Sequence, residues 1–432
     1  MSIFAQHIAG GGDGIDAKTQ KELLARAVAE YCSIPPKKIL ILPPDHTRLY
    51  SGAGALTNFA WELFGQQAQI DIMPALGTHS PMTREQITMM FGDSIPAERF
   101  RTHDWKQDLI KLGTVPAEEI EKWSEGKLSF DVAAEINRCV LEDGYDLILS
   151  IGQVVPHEVV GMANYTKNLF VGIGGADTIN KSHYLGAVYN AERVMGRIET
   201  PPRKLFNYCY HHFLKGKVPI LFVLTVMQAL PGDVHPQMRG LFMGDDDDVF
   251  VAAARLSQKL NINYVESPQK RVVCYLTPDE FKSTWLGNKA VYRTRMMIAD
   301  EGELIVLAPG VKEFGEDPKN DEIIRRYGYR HTDEIIRLVQ QTPELQQNLG
   351  AAAHLIHGTS DGRFRIIYAT NPELMPPETI RSVGYEWAPI DAMMERYYDS
   401  TLTDGPQTDK QGEAFYYINN PALGLWALSG SL

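Results

Sequence analysis

Residues 150–183 read SIGQVVPHEVVGMANYTKNLFVGIGGADTINKSH, and the reading of this stretch decides the fold. The run leading into it, Tyr145 to Ile151, is short, apolar and bounded by turn residues, which predicts a buried strand. Past the glycines Gly172, Gly174 and Gly175, the pair Asp177-Thr178 is the expected cap of a helix carrying His183 on its second turn. A strand that empties into a polar, glycine-rich loop and then a helix is where open α/β sheets bind ligands. The glycines let backbone N–H groups approach an anion, and the helix start favours negative charge. Three side chains here carry chemistry. His157 and His183 can act as bases or metal ligands near neutral pH, and Lys167 as a nucleophile or covalent anchor. Singly, each is more often an ordinary core or surface residue; their gathering around one candidate anion nest raises the functional reading.

Two earlier stretches repeat the pattern. Pro44-Asp45-His46-Thr47-Arg48 follows the apolar run Ile39 to Leu42, and Gly77-Thr78-His79 follows Ile70 to Leu76. Each is a polar cluster at the C-terminal end of a predicted strand. If the strands are parallel neighbours, all three clusters share one sheet edge, the usual place for an α/β site.

The chain has 432 residues, more than one core usually supports, so two domains are expected. The first spans 1–267 and is rejoined by the C-terminal segment 405–432; the second spans 268–404, the boundary falling near Glu266-Ser-Pro-Gln269. The fold class is α/β, two α/β domains with the active site in the cleft between them. A net charge of −12 argues against nucleic acid or an anionic membrane as partner. Cys32, Cys139, Cys209 and Cys274 show no metal-ligand spacing and read as reduced thiols of a cytoplasmic protein. The start lacks a signal-peptide pattern, and the longest apolar run, Val218 to Leu230, is too short to cross a bilayer.

Gly10-Gly-Gly-Asp-Gly14 has no predicted strand before it, so it reads as a flexible entry to a helix over Asp16–Tyr31 rather than a phosphate loop. Helical signals follow around Trp61 to Phe64, over Thr83–Phe91 and Ala117–Trp123, and from Arg193 to Phe213. His211-His212 is a metal decoy, since adjacent helix residues point about 100° apart. Asp245 to Asp248 read as a solvated helix start rather than a hard-cation site. Leu304 to Ala308 and Phe364 to Ala369 are buried-strand signals in the second domain.

With these motifs in view, the chain resembles the lactate racemase family, whose members use a nickel-pincer nucleotide. The family pattern is Asp-His-Thr-Arg, then Gly-Thr-His, then a histidine ten residues before a lysine and another sixteen after it. Asp45 to Arg48, Gly77 to His79, His157, Lys167 and His183 reproduce it without a gap (167 − 157 = 10; 183 − 167 = 16). The resemblance implies that Lys167 carries the cofactor, pyridinium-3-thioamide-5-thiocarboxylic acid mononucleotide, by a thioamide link, and that His183 ligates nickel, an ion suited to such a square-planar set. It makes His79 and His157 the acid/base pair. It gives Asp45, His46, Thr47 and Arg48 to cofactor binding, with Gly174 and Gly175, and leaves Arg48 able to hold a substrate carboxylate. The implied partners are a small α-hydroxy acid and the proteins that make the cofactor.

One segment departs from the family. Lactate racemases carry Tyr-Gln-x-x-Lys in the second domain, whereas the matching residues here are Tyr292-Arg293-Thr294-Arg295-Met296. A forked guanidinium grips several oxygens where the family has an amide, and a point charge is lost. Tyr292, Arg293 and Arg295 are therefore expected to contact a longer, polyhydroxylated substrate such as a sugar acid. His357, Ser360, Asp361 and Arg363 can add contacts or form a plain surface turn. A dinucleotide-binding reading of Gly172-Ile-Gly174 fails because Asp177 stands where a third small residue should pack. No paired-histidine zinc motif is present. A non-catalytic nickel-nucleotide carrier would need only Lys167 and His183, not His79 and His157.

Overall fold

The computed structural model describes residues 3–10, 14–230 and 235–432, so most of the Gly10–Gly14 stretch lies outside it. It divides into two compact units, one of residues 1–182 and 196–261, the other of residues 183–195 and 262–432.

In the first unit the strands are β1 (Ile3–Ile8), β2 (Lys38–Leu42), β3 (Gln69–Ile72), β4 (Leu109–Val115), β5 (Val132–Asn137), β6 (Leu147–Gln153), β7 (Pro156–His157), β8 (Gly161–Met162), β9 (Ile220–Gln228) and β10 (Gln237–Gly244). Six of them form one sheet in the order β1-β10-β9-β6-β2-β3. The β9-β6-β2-β3 block is parallel, and β9, β6 and β2 are largely apolar, as strands covered on both faces must be. β2 lies between β6 and β3, so the Asp45, Gly77 and His157 stretches leave the sheet at the same edge, as the three apolar runs predict. β10 and β1 add on antiparallel. β1 is a strand the sequence reading missed: IFAQHI is mostly exposed or half-buried and gives no apolar run.

Helix Ala17–Tyr31 is capped by the Asp16 carboxylate on the Thr19 amide at 2.8 Å. It lays Leu23, Leu24, Ala27 and Val28 on the sheet face made by Ile39, Ile41, Leu147, Leu149 and Val223. Truncating Leu24 to Ala there would cost about 2–5 kcal/mol, because a filled core relaxes only partly around a cavity. The predicted Arg193–Phe213 helix is broken: Ala191–Val194 is followed by Pro201–Cys209, which passes into a π-helical turn at Tyr210–Leu214.

The second unit holds β11 (Asn263–Val265), β12 (Gln269–Tyr275), β13 (Ile298–Ala308), β14 (Phe364–Thr370), β15 (Glu386–Pro389), β16 (Gly405–Thr408), β17 (Ala414–Ile418) and β18 (Trp426–Leu428). Its sheet runs β15-β14-β13-β12-β17-β16, parallel except for the β16–β17 pair. Segment 405–432 was expected to rejoin the first domain. Instead β17 pairs with β12 and β18 with β11, so the segment completes the second unit. The other correction is His183–Met195, which groups with the second unit although it lies within the predicted first domain. Glu192 explains its place: its carboxylate receives Arg295 Nε at 3.0 Å and Arg363 Nη1 at 2.6 Å.

Candidate active site

Asp45 is buried at the end of β2, where it caps the short helical turn His46–Ser51 through the Thr47 amide. Its second oxygen lies 2.6 Å from Nδ1 of His79, whose ring is 56% exposed. Burial pushes the Asp45 carboxyl up, but the bonds from His79 and Thr47 outweigh it and hold the group below the ordinary carboxylate range. A carboxylate on Nδ1 fixes the neutral ring as the Nδ1–H tautomer and leaves the Nε2 lone pair as a base.

His157 sits on β7, paired across a two-strand hairpin with Gly161 of β8. Here the backbone N–H of Val159 donates to Nδ1 at 3.1 Å. An amide can only donate, so the neutral His157 ring carries its proton on Nε2. The Glu158 carboxylate lies 3.8 Å from the same nitrogen. The two histidines are thus set in opposite tautomers, one presenting a lone pair and the other a proton at Nε2.

Lys167 is half-buried and leads into a π-helical turn, Asn168–Gly172. Asn168 anchors that turn by donating to the Leu42 carbonyl and the Ser150 hydroxyl, both at 3.0 Å. The turn therefore hangs from the C-terminal end of β2 and the middle of β6. The Gly77 amide donates to the Gly172 carbonyl at 2.8 Å, which ties in the His79 loop. Burial pulls the Lys167 amine down to about 8; Arg48 and Arg203 add to this, while Glu158 and Asp45 oppose it. A lysine so placed has an accessible neutral form at mildly alkaline pH.

His46, Thr47 and Arg48 occupy the turn after Asp45. His46 Nε2 meets the Gln86 amide at 3.0 Å, and its buried Nδ1 has no hydrogen-bond partner among the described residues. Arg48 and Thr47 are exposed.

Gly174 and Gly175 have a packing role. A Cβ on Gly174 would fall 2.0 Å from the Phe170 carbonyl oxygen, and one on Gly175 2.3 Å from the Glu135 carboxylate. The Gly174 carbonyl is taken by buried His103 at 3.1 Å. Nor do Asp177 and Thr178 cap the helix as expected, for it already begins at Ala176. Their side chains bind the amide and carbonyl of Ala133 on β5, each at 2.7 Å. His183 lies farther along the same helix, Ala176–Tyr189, and is half-buried.

In the second unit, Tyr292 is buried with its ring 5.9 Å from that of His357. Arg293 is buried and donates to the Gly424 carbonyl at 3.0 Å. Arg295, expected among substrate contacts, is 2% exposed and committed to protein groups: Glu192, the Thr359 carbonyl at 3.1 Å, and Asp361 at 3.6 Å. Arg363 is likewise held by Glu192 and Asp300, and Asp361 accepts from Thr332. Ser360 is buried in the turn between them. The sequence reading missed His103, Asn168 and Arg203; only Asn168, next to the lysine, carried any local signal.

The lactate racemase N-terminal domain family matches residues 18–196, a span that includes the Asp45 turn, His79, His157, Lys167 and His183. Over that segment the chain is similar to the lactate racemase family. A lactate racemase from Thermoanaerobacterium thermosaccharolyticum is 28% identical over 171 residues, a match spanning 38% of this chain and 37% of the relative. The fold extends further. A crystal structure of a Thermotoga maritima protein aligns over 98% of this chain and 100% of its own, with TM-score 0.79 and 22% identity. The lactate racemase apoprotein from T. thermosaccharolyticum aligns over 94% and 92%, with TM-score 0.67 and 16% identity.

Proposed function

We propose that the protein is a racemase or epimerase that inverts C2 of an α-hydroxy acid, with a sugar acid as preferred substrate. The observation that carries this reading is the opposite setting of the two histidines: Nδ1 of His79 on a carboxylate, Nδ1 of His157 on a backbone amide. Inversion needs a proton acceptor for one enantiomer's hydroxyl and a proton donor for the other's, with the roles exchanged on the return. His79 Nε2 takes the hydroxyl proton, and the charged ring that results is held by Asp45. His157 Nε2–H supplies a proton in the same cycle. Arg48 is the anchor for the substrate carboxylate.

The residues fit the nickel-pincer nucleotide. Lys167 offers an amine drawn down to about 8, the Asp45–Arg48 turn offers a buried imidazole nitrogen and an exposed cation, and His183 offers the imidazole donor for nickel. When bound, that group would supply the acceptor for the hydride leaving C2. With Arg295 committed to Glu192, the sugar-acid preference rests on Arg293 in place of an amide and on Met296 in place of a lysine.

The test is to load the full chain with cofactor in a host that makes it, and to follow lactate, malate and a panel of aldonates by NMR in deuterated water. We expect adduct mass and nickel in the native chain and neither in Lys167→Ala. C2 epimers of an aldonate should appear with little solvent deuterium at C2. Lactate should turn over several orders of magnitude more slowly, since each buried donor left unmet costs about 1–3 kcal/mol. Fast lactate turnover with no aldonate turnover would refute the substrate class, and a full adduct in Lys167→Ala would refute the attachment.

A further inference from the structure

Just before Lys167 the backbone enters the left-handed region twice in succession, at Asn164 (φ 66°) and Tyr165 (φ 60°). Neither is glycine, and side chains are strained in that region, so the step persists only where its surroundings over-determine it. Arg203 does much of that. Its Nη1 donates to the Thr166 hydroxyl at 2.8 Å, and its Nη2 to the Met162 and Asn164 carbonyls at 2.7 and 3.1 Å. One guanidinium thus spans the loop from Met162 to Thr166 while lying 4.1 Å from the Phe250 ring centroid. Tyr165 stacks on the same ring at 5.3 Å and donates to Asp247 at 2.8 Å. Thr166 donates to Asn207 at 2.7 Å, and Asn207 to Asp247 at 3.2 Å.

This network also accounts for the acidic run. Among the described residues, His211, Asp246 and Asp247 bring possible ligand atoms within 4.8 Å of one another. Yet Asp247 already accepts from Tyr165, Asn207 and His211, and Lys215 holds Asp246 at 2.7 Å. The cluster is the counter-charge of a buried arginine. Burial draws the Arg203 guanidinium down to about 9, against the pull of Tyr165 and Asp247, so it stays charged at neutral pH.

We propose that Arg203 is a positioning residue for Lys167, bracing the Asn164–Tyr165 step that aims the amine while setting its own positive charge beside it. The proposal rests on Lys167 as the attachment point, but its chemistry belongs to the apo chain. The charged groups acting on the amine are Arg48 and Arg203, which favour its neutral form, and Glu158 and Asp45, which oppose it. Lysine would lose the fork at position 203, and methionine would lose the charge as well.

The test labels the full chain, without cofactor, with limiting acetic anhydride from pH 6 to 10 and reads Lys167 acetylation by peptide mass spectrometry. The amine attacks a carbonyl carbon, acetate leaves with the bonding pair, and the ammonium proton goes to solvent, so rate against pH reports the neutral fraction. The native midpoint should lie near 8. Arg203→Lys should slow labelling about tenfold with little change in midpoint, and Arg203→Met should raise the midpoint by roughly half a unit or more. Adding Asn164→Gly to Arg203→Lys should restore the rate, because glycine adopts the left-handed region without strain. If Arg203→Met does not fold, Arg203→Lys with and without Asn164→Gly decides alone. Native rate and midpoint in folded Arg203→Lys would overturn the proposal. A native midpoint near 8 that responds to Arg203, beside a loaded chain without adduct, would sink the cofactor reading and leave this one standing.

Discussion

Replacing Asp45 by Asn separates two contributions of that carboxylate. Its Oδ2 lies 2.6 Å from His79 Nδ1, and its Oδ1 accepts from the Thr47 amide at 3.2 Å, so the isosteric amide keeps the turn while removing the charge. A hydrogen bond to a charged group is worth about 1.5–3 kcal/mol when buried. Because the His79 ring is 56% exposed, solvent screening reduces this to about 1 kcal/mol. The larger effect is on the tautomer. An amide NH₂ can donate to Nδ1, which would put the proton on Nε2 and remove the lone pair facing substrate. Together these should lower kcat/KM by about 10²–10³-fold. No catalyst changes the equilibrium constant, so kcat/KM for the proposed reaction must fall by the same factor in both directions. Initial rates from each enantiomer measure this, and ¹⁵N shifts of the His79 ring should show Nδ1–H in the native chain and Nε2–H in Asp45→Asn. Native rates in a variant whose ring had switched tautomer would refute the assignment of His79 as base.

Substituting His157 by Gln should reduce turnover by roughly 10²–10⁴-fold in both directions while leaving the Lys167 adduct intact, read by rates and intact mass. Buried His103 is held below the ordinary histidine range, chiefly by burial, so the folded state favours its neutral form. That stability is present above the unfolded value of about 6.5 and is lost as pH falls through it toward the folded value. Urea midpoints at pH 7.5 and 5.5 should therefore converge in His103→Gln relative to the native chain; an unchanged pH slope would count against this. Arg295→Met leaves Glu192 with Arg363 but one cation fewer and should destabilise the protein by about 1.5–3 kcal/mol, visible as a lower melting temperature. A substrate role alone would raise KM without moving the melt.

The parallel strands were legible because strands covered on both faces must be apolar throughout, and β2, β6 and β9 are. β1 was not, since an edge strand with one covered face and a register irregularity leaves little pattern. Segment 405–432 was misplaced because strand partnership is non-local: β17 finds β12 well over a hundred residues away, and no local periodicity encodes that. Residue types and spacings were enough to single out His79, His157 and Lys167 as candidates. They could not mark Arg203, whose importance comes from three carbonyl and hydroxyl acceptors brought to it by a loop 37 to 41 residues earlier. Arg293 and Arg295 looked equivalent in sequence, but two residues apart on opposite flanks of Thr294 they meet quite different partners.

The grip of Arg295 and Arg363 on Glu192 bears on how the chain is made. Glu192 and Arg363 are 171 residues apart, and at about 5–20 residues per second a ribosome needs on the order of 10–30 s to bridge them. Through that interval the His183–Met195 segment has emerged without the cations that later hold it, although the strands of the first sheet are complete by Gly244. The first unit can therefore fold around its own sheet while the second waits for its arginines, and a stall in translation between residues 261 and 295 would leave Glu192 open to wrong partners.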